Sequence, residues 1–269
     1  MAVGLLVLGG GNMGSALVSG LIRAGWSAED VAVIDPSEGC RSALASRHPA
    51  LGVHPAAIAG MAEGGDAVLA VKPDAADGAC RSIATAGARR VLSVAAGVAT
   101  ARLESWLPEG TPVVRAVPNT PALVGAGVAA MSGGSHVRAE DLDWAERVLR
   151  AVGSVVRLSE RHLDAVTGLS GSGPAYVFLV AEALVEAGVL SGLPRDVAGT
   201  LVTETLRGSA ALLAEDGADP ALLRASVTSP GGTTSAGLRA LEARAVRSAF
   251  LEAVASATER SRQLGHAHG

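Results

Sequence analysis

The chain has 269 residues, enough to bury a full core and to divide into two domains. Hydrophobic residues supply 49% and aromatic ones only 2%, which excludes a disordered chain and implies a core of Ala, Val and Leu. A net charge of −4, with three Trp, one Tyr and two Phe, offers neither a basic footprint nor a stacking platform for nucleic acid. Cys40 and Cys80 have no metal-ligand spacing, and two cysteines in so long a chain do not make a disulfide framework. The first residues lack the basic flank of a signal peptide. The uncharged segments 116–136 and 165–181 are broken by Pro, Gly and polar residues, so no membrane span is expected and a cytoplasmic location fits.

Residues 5–8 form an apolar run, followed by a helical pattern over 12–24. Further runs at 31–34, 68–71 and 91–94 are apolar throughout, as strands of a parallel sheet covered on both faces must be. Candidate strands continue at 113–117, 128–131 and 154–158, the last after a helix near 139–151. Alternating strands and helices imply right-handed crossovers and an α/β, Rossmann-like doubly wound sheet. From about residue 159 the strand signal stops. A helix is predicted over 173–190, with Pro174 in its first turn, and it is apolar on nearly every side. Such a helix requires burial, and a domain this small points to a second subunit to supply it. Helices over 194–214, 219–226 and 246–263 complete an all-α region, and a disordered tail is expected at 265–269. The expected domains are therefore 1–158, binding a dinucleotide, and 159–269, binding substrate and forming a dimer.

Gly9-Gly10-Gly11-Asn12-Met13-Gly14 fits G-x-G-x-x-G between the first strand and first helix. Gly9 allows the tight turn, Gly11 lets the main chain approach a pyrophosphate, and Gly14 permits close helix–strand packing. In so glycine-rich a chain a ligand-free turn is the competing reading. Asp35 ends the second strand, where a carboxylate accepts hydrogen bonds from ribose hydroxyls and repels the 2′-phosphate of NADP. Ser37 and Arg41 lie just beyond and can bind that phosphate if Asp35 turns away; alternatively Asp35 and Ser37 simply cap the next helix. Lys72 is the single lysine in the sequence and sits in Ala70-Val71-Lys72-Pro73, at a strand's C-terminal end, where open α/β sheets bind ligands. It is either a cofactor neighbour or a solvated charge. Ala95-Ala96-Gly97 and Val117-Pro118-Asn119-Thr120-Pro121 end two later strands on the same side. Asn119 and Thr120, held between prolines, either face a carboxamide or stiffen a structural loop.

Two hydroxyl- and glycine-rich loops each run directly into a helical pattern: Leu169-Ser170-Gly171-Ser172-Gly173-Pro174 and Thr228-Ser229-Pro230-Gly231-Gly232-Thr233-Thr234. Such junctions present main-chain N–H groups and a helix dipole to an anion. The amides of Gly232, Thr233 and Thr234 can form a nest for a carboxylate, with hydroxyls from Ser229 and Thr234. A capped helix after a Pro-Gly turn explains one hydroxyl here but not four within six positions.

Residues 164–176 and 228–234 together resemble pyrroline-5-carboxylate reductase, and the likeness runs from the glycine loop through Lys72-Pro73 and Asn119-Thr120-Pro121 to the last helix. The resemblance implies a Rossmann domain, a helical domain that interlocks two subunits, and often a ring of five dimers. It implies NADPH or NADH as cofactor and 1-pyrroline-5-carboxylate as substrate, reduced to L-proline without a metal. Gly9, Gly11, Asn12, Met13, Gly14, Asp35, Ser37, Ala70, Val71, Lys72, Pro73, Ala96, Gly97 and Asn119 would bind the cofactor. Thr234 would hydrogen-bond the ring nitrogen as the catalytic residue. Ser229, Gly232 and Thr233 would hold the carboxylate, and Ser172 and Gly173 would line the opposing wall. Asp35 departs from members with a small or amide residue at this place. Two rivals remain: a β-hydroxyacid dehydrogenase, whose chemistry generally needs a lysine in the second domain, and a non-catalytic dinucleotide-binding scaffold. No lysine follows position 72, and the complete loop at 228–234 argues against a scaffold. His48, His54, His136 and His162 match no catalytic spacing and read as surface or helix-end residues.

Overall fold

Along the first strand, β1 (Leu5–Leu8), Leu5 and Val7 enter one hydrophobic core while Leu6 and Leu8 enter another. β2 (Val31–Ile34) repeats the division, with Val31 and Val33 on one side and Ala32 and Ile34 on the other. A strand buried on both faces has no place for alternating polar residues, which is why these runs are apolar throughout. The computed structural model describes residues 2–267. Its remaining strands are β3 (Gly52–His54), β4 (Asp66–Leu69), β5 (Val91–Ser93), β6 (Val113–Pro118), β7 (Gly127–Gly133) and β8 (Gly153–Arg157). They form one eight-stranded sheet in the order β3-β2-β1-β4-β5-β6-β7-β8.

Helices α1 (Asn12–Arg23), α2 (Glu38–Arg47), α3 (Ala76–Ala86), α4 (Thr100–Ser105) and α5 (Ala139–Arg150) flank the sheet. Leu17, Val18 and Leu21 of α1, Leu44 of α2, and Trp144, Val148 and Leu149 of α5 cover the face that takes Leu5 and Val7. Cys80 and Ile83 of α3 and Leu103 of α4 cover the other. All neighbouring strands are parallel except β6 and β7. The connection from Pro118 to Gly127 is too short for a parallel crossover, so the chain turns back on itself there. At the strands' N-terminal edge, the guanidinium of Arg90 bonds both Asp66 and Asp141 and lies 4.6 Å from the Trp144 ring centre. This ties β4 and β5 to α5.

Helix α6 (Leu163–Val166) is followed by one π-helical turn, Thr167–Gly171, closed by the Ser172 amide on Thr167 O at 2.8 Å. The packing then separates two units: residues 1–172 with 255–269, and residues 173–254. The second contains α7 (Gly173–Leu190), α8 (Arg195–Leu213), α9 (Pro220–Ser226), α10 (Thr233–Ala243) and the start of α11 (Val246–Ala267). Gly188 of α7 faces Ala198 of α8 so closely that a methyl group added to Gly188 would stand 3.1 Å from the alanine's. Ala198 is the only residue of this unit that is buried. Val177, Phe178, Leu179, Leu184 and Leu190 of α7 are exposed.

The sequence reading and the structure differ in particulars. β4 lies two residues earlier than 68–71, since Val71 already belongs to the loop. β3 is a three-residue edge strand with no apolar run to announce it. Gly265 continues α11 instead of opening a disordered tail, whereas His268 and Gly269 lie outside the described residues. The helical run Glu160–Leu190 is long and apolar enough to cross a membrane by length and composition, although the interrupting Gly and Pro argued against it in the sequence.

Glu160 ties the end of the sheet to α4. Its carboxylate accepts from Thr100 N at 2.9 Å, Thr100 Oγ1 at 2.6 Å and Arg115 Nη1 at 3.0 Å. Burial alone would raise its pKa, but the bonds from Thr100 and Arg115 outweigh burial and hold it below the usual glutamate value. A carboxyl depressed on folding adds stability above its unfolded pKa and loses it as the pH falls through the folded one. Glu160→Gln is therefore expected to cost about 2–4 kcal/mol at neutral pH, leaving buried Arg115 without its counter-charge. In urea melts the gap from wild type should shrink steadily at acid pH. A gap independent of pH would contradict the assignment.

Candidate active site

In the order β2-β1-β4-β5 the chain direction of assembly reverses between β1 and β4, and the crevice beyond the C-terminal ends of such strands is where open α/β sheets bind ligands. The loop Gly9–Gly11 leaves β1 at this point. Gly9 has φ +101°, and a Cβ there would collide with Ala70 O at the end of β4. A Cβ on Gly14 would collide with Gly9 O. Glycine at these two places lets β1, β4 and α1 close up main chain to main chain. Gly11 differs, because a Cβ on it would meet nothing within 4 Å. It is the N-cap of α1 and supplies no side-chain acceptor, so the first-turn amides at the positive end of the helix have no side-chain cap. Asn12 begins that turn, and Met13 turns its side chain onto the core, leaving its main chain for a ligand.

The crevice is a cavity of about 720 Å³ lined by Gly9, Gly11, Asp35, Ser37, Ala70, Val71 and Lys72. Pro55, Ala56 and Ala57 after β3, Cys40 of α2, and Ala79 and Ser82 of α3 are also among its walls. None of this second group was picked out in the sequence; only their position after a strand end or on an inward helix face marks them. Asp35 is buried and accepts Gly10 N at 2.7 Å and Ser37 N at 2.8 Å. Ser37 caps α2 through Cys40 N, and Arg41 Nη1 donates to Asp35 O and Pro36 O. Ser37 thus caps the helix, as one sequence reading had it, and both Asp35 and Ser37 line the cavity. Lys72 is exposed and lines the opposite flank after β4.

A smaller cavity, about 270 Å³, is bounded by Pro73, Ala96, Gly97, Thr167 and Ser172, with Arg260 and Ser261 from the end of α11. The sequence placed Ala96 and Gly97 with the nucleotide; they open onto this space instead of the larger one. Ser261 Oγ donates to Asp164 at 2.7 Å, which brings α11 against α6. Asn119 is buried, with Oδ1 accepting from Val128 N at 2.9 Å and Nδ2 donating to Ser170 O at 3.1 Å. Its side chain therefore braces β7 and the π-helical turn, as the structural reading of that loop expected. Cys80 is buried against β-sheet residues and its thiol is pushed up to about 12 by burial, then by Asp77, so it is chemically inert.

In the second unit, Gly231 has φ +70° and Gly232 is the N-cap of α10 without a side-chain cap. Of the three amides expected in the nest, that of Gly232 is already spent on Ser229 O at 3.1 Å. Thr233 and Thr234 begin the helix, and their N–H groups are its first-turn donors. A Cβ on Gly232 would meet Ser229 Oγ and stand 3.2 Å from Ser229 O, so a side chain there would force the Ser229 hydroxyl to turn away. Two anion-ready helix starts, at α1 and α10, are thus present on separate units.

Residues 160–264 match the family model described as pyrroline-5-carboxylate reductase dimerisation, and residues 3–97 match NADP oxidoreductase coenzyme F420-dependent. A pyrroline-5-carboxylate reductase of Mycobacterium tuberculosis is 44% identical, over 97% of this chain and 96% of its own length. The chain belongs to the pyrroline-5-carboxylate reductase family. A reductase of that name from Corynebacterium melassecola is 41% identical over 97% of this chain and 98% of its own. The solved reductase of Coxiella burnetii superposes with a TM-score of 0.90 at 34% identity, covering 98% of this chain and 99% of the other. That of Plasmodium falciparum, which has NADP bound, gives 0.85 at 30% identity over 98% of each. The large cavity suits a dinucleotide, since it joins the open main chain at Gly11 to the carboxylate at the end of β2.

The glycines of this reductase-family loop separate into two kinds by experiment. Gly14→Ala should lower the melting temperature by several degrees or more, the scale of a 1–3 kcal/mol overpacking loss. Gly11→Ala should melt within a few degrees of wild type, yet lose at least about tenfold in dinucleotide affinity by calorimetric titration. Equal loss of stability in both would overturn the distinction.

Proposed function

We propose that the protein is a pyrroline-5-carboxylate reductase, reducing 1-pyrroline-5-carboxylate to L-proline with NADPH or NADH, the final step of proline synthesis. The observation that carries this reading is likeness at 37–44% identity over nearly the whole chain to reductases of that name, spanning both the nucleotide and dimerisation regions.

The bound dihydronicotinamide supplies the hydride. Gly11 and the first turn of α1 hold the pyrophosphate by main-chain amides, Gly9 makes the tight turn that brings them there, with its own amide on Ile34 O, and Asp35 and Ser37 bound the adenosine end. Ala70–Pro73, Ala96, Gly97 and the Asn119 loop shape the crevice beyond β4, β5 and β6. The amides of Thr233 and Thr234, with Ser229, hold the substrate carboxylate at the positive end of α10. Thr234 Oγ1 hydrogen-bonds the ring nitrogen, and Ser172 and Gly173 form a wall of the substrate site. The imine carbon gains the hydride while the nitrogen keeps its proton, so the chain needs to position and solvate charge and needs no nucleophile of its own.

The functional division is proposed as a nucleotide domain up to residue 158 and a substrate and dimerisation domain from 159. A helical unit whose only buried residue is Ala198 lacks a core of its own, and exposed Phe178, Leu179 and Leu184 supply the apolar surface for a second subunit. Covering by a partner also accounts for the membrane-like hydropathy of 160–190. Five such dimers in a ring, and a cytoplasmic setting, are the assembly and location that the family resemblance implies.

Oxidation of NADH or NADPH in the presence of 1-pyrroline-5-carboxylate tests the activity directly, and failure with both nucleotides would sink it. Thr234→Ala should lower kcat by about 100-fold or more while changing nucleotide affinity little. Thr234→Ser should recover part of that loss. Equal loss of turnover and nucleotide binding would remove Thr234 from the chemistry.

A further inference from the structure

We infer that the adenosine end of the cavity is built to accept NADH and to reject NADPH, and that Asp35 is the residue that decides it. The inference rests on the dinucleotide reading above and adds to it the identity of the cofactor.

Asp35 does not turn away from the cavity. Its two oxygens are held in place by the amides of Gly10 at 2.7 Å and Ser37 at 2.8 Å, one on each flank of the β2 end. Those amides are the main-chain donors that a 2′-phosphate would need at this place, and the carboxylate already occupies both. The two side chains with phosphate-binding chemistry nearby are each turned in part to the main chain of this segment. Ser37 Oγ accepts from Cys40 N as the cap of α2. Arg41 Nη1 is turned to the main chain, donating to Asp35 O and Pro36 O at 2.8 Å each.

Among the described residues that line the cavity, the one cation is Lys72, which follows β4. β1 lies between β2 and β4, so Lys72 and Asp35 leave the sheet roughly 10 Å apart at two strand spacings. A phosphate at the 2′ position would therefore meet a carboxylate that two amides hold in place, with Arg41 Nη1 turned away onto Asp35 O and Pro36 O. A ribose diol would meet acceptor lone pairs left on the same carboxylate, which already serves two amides and has capacity for more. Displacing Asp35 would leave two buried-edge amides to be satisfied again, so the pocket resists adapting to the larger nucleotide.

Calorimetric titration of the wild-type protein with NAD+ and with NADP+ tests this without turnover. NAD+ is expected to bind tighter by at least about tenfold, the scale of one charge-assisted hydrogen bond gained against a like-charge contact. The ratio of kcat/KM for NADH over NADPH should favour NADH in the same direction. Asp35→Asn should narrow that binding gap by raising affinity for NADP+. Equal or tighter binding of NADP+ by the wild type would overturn the inference while leaving the reductase reading intact. An unchanged ratio in a folded Asp35→Asn protein would also overturn it. Preference for NAD+ without any turnover of the imine would support the inference and sink the reductase reading. Binding of neither nucleotide would overturn both.

Discussion

Behind the nucleotide loop, the end of β1, the end of β4 and the first turn of α1 approach one another through their main chains alone. Ala70 O stands where a side chain on Gly9 would begin, and Gly9 O stands where one on Gly14 would begin. This contact sets the depth at which α1 starts. With it goes the direction of the α1 amides relative to Asp35 and Lys72. The shape of the crevice at this point depends on two residues being unable to carry a side chain.

The same economy of side chains recurs across the fold. A sheet with two buried faces and almost no aromatic residues is filled by Val, Leu and Ala in alternation, and Leu5 to Leu8 divide evenly between the two cores. The few large or charged groups inside are spent on joints. Trp144 stacks under Arg90, which holds Asp66 and Asp141 at the edge opposite the crevice. Glu160 gathers Thr100 and Arg115 where the sheet ends. The helical unit inverts this pattern, keeping its apolar residues outside, which is the surface that the proposed second subunit would cover.

Much of this was legible in the sequence because the relevant signals are local. Leu5–Leu8, Val31–Ile34 and Gly173–Leu190 are found at the residues their composition indicates, since continuous apolarity bounded by Gly, Pro or Asp leaves little choice of start and end. β3 was not legible: three half-buried residues acquire strand geometry only by pairing with β2. The antiparallel turn from β6 to β7 was readable in principle from the shortness of the link between Pro118 and Gly127, whereas apolar content alone suggested a parallel neighbour. At the site, Gly9, Gly14, Asp35 and Lys72 were visible through motif and position. The commitment of the Gly232 amide to Ser229, and the bracing role of Asn119, depend on which partner each group finds in space. Arg260 and Ser261 reach the smaller cavity from the far end of the chain, a proximity that no local pattern encodes.

Lys72 has a consequence beyond its charge. It carries the sole side-chain amine in the sequence, is exposed, and opens onto the nucleotide crevice. Acylating reagents that would decorate most proteins at many places are confined here, once the α-amino group is blocked, to one side chain. A fluorophore or crosslinker attached through that amine becomes a site-specific reporter at the mouth of the crevice, installed without engineering the chain.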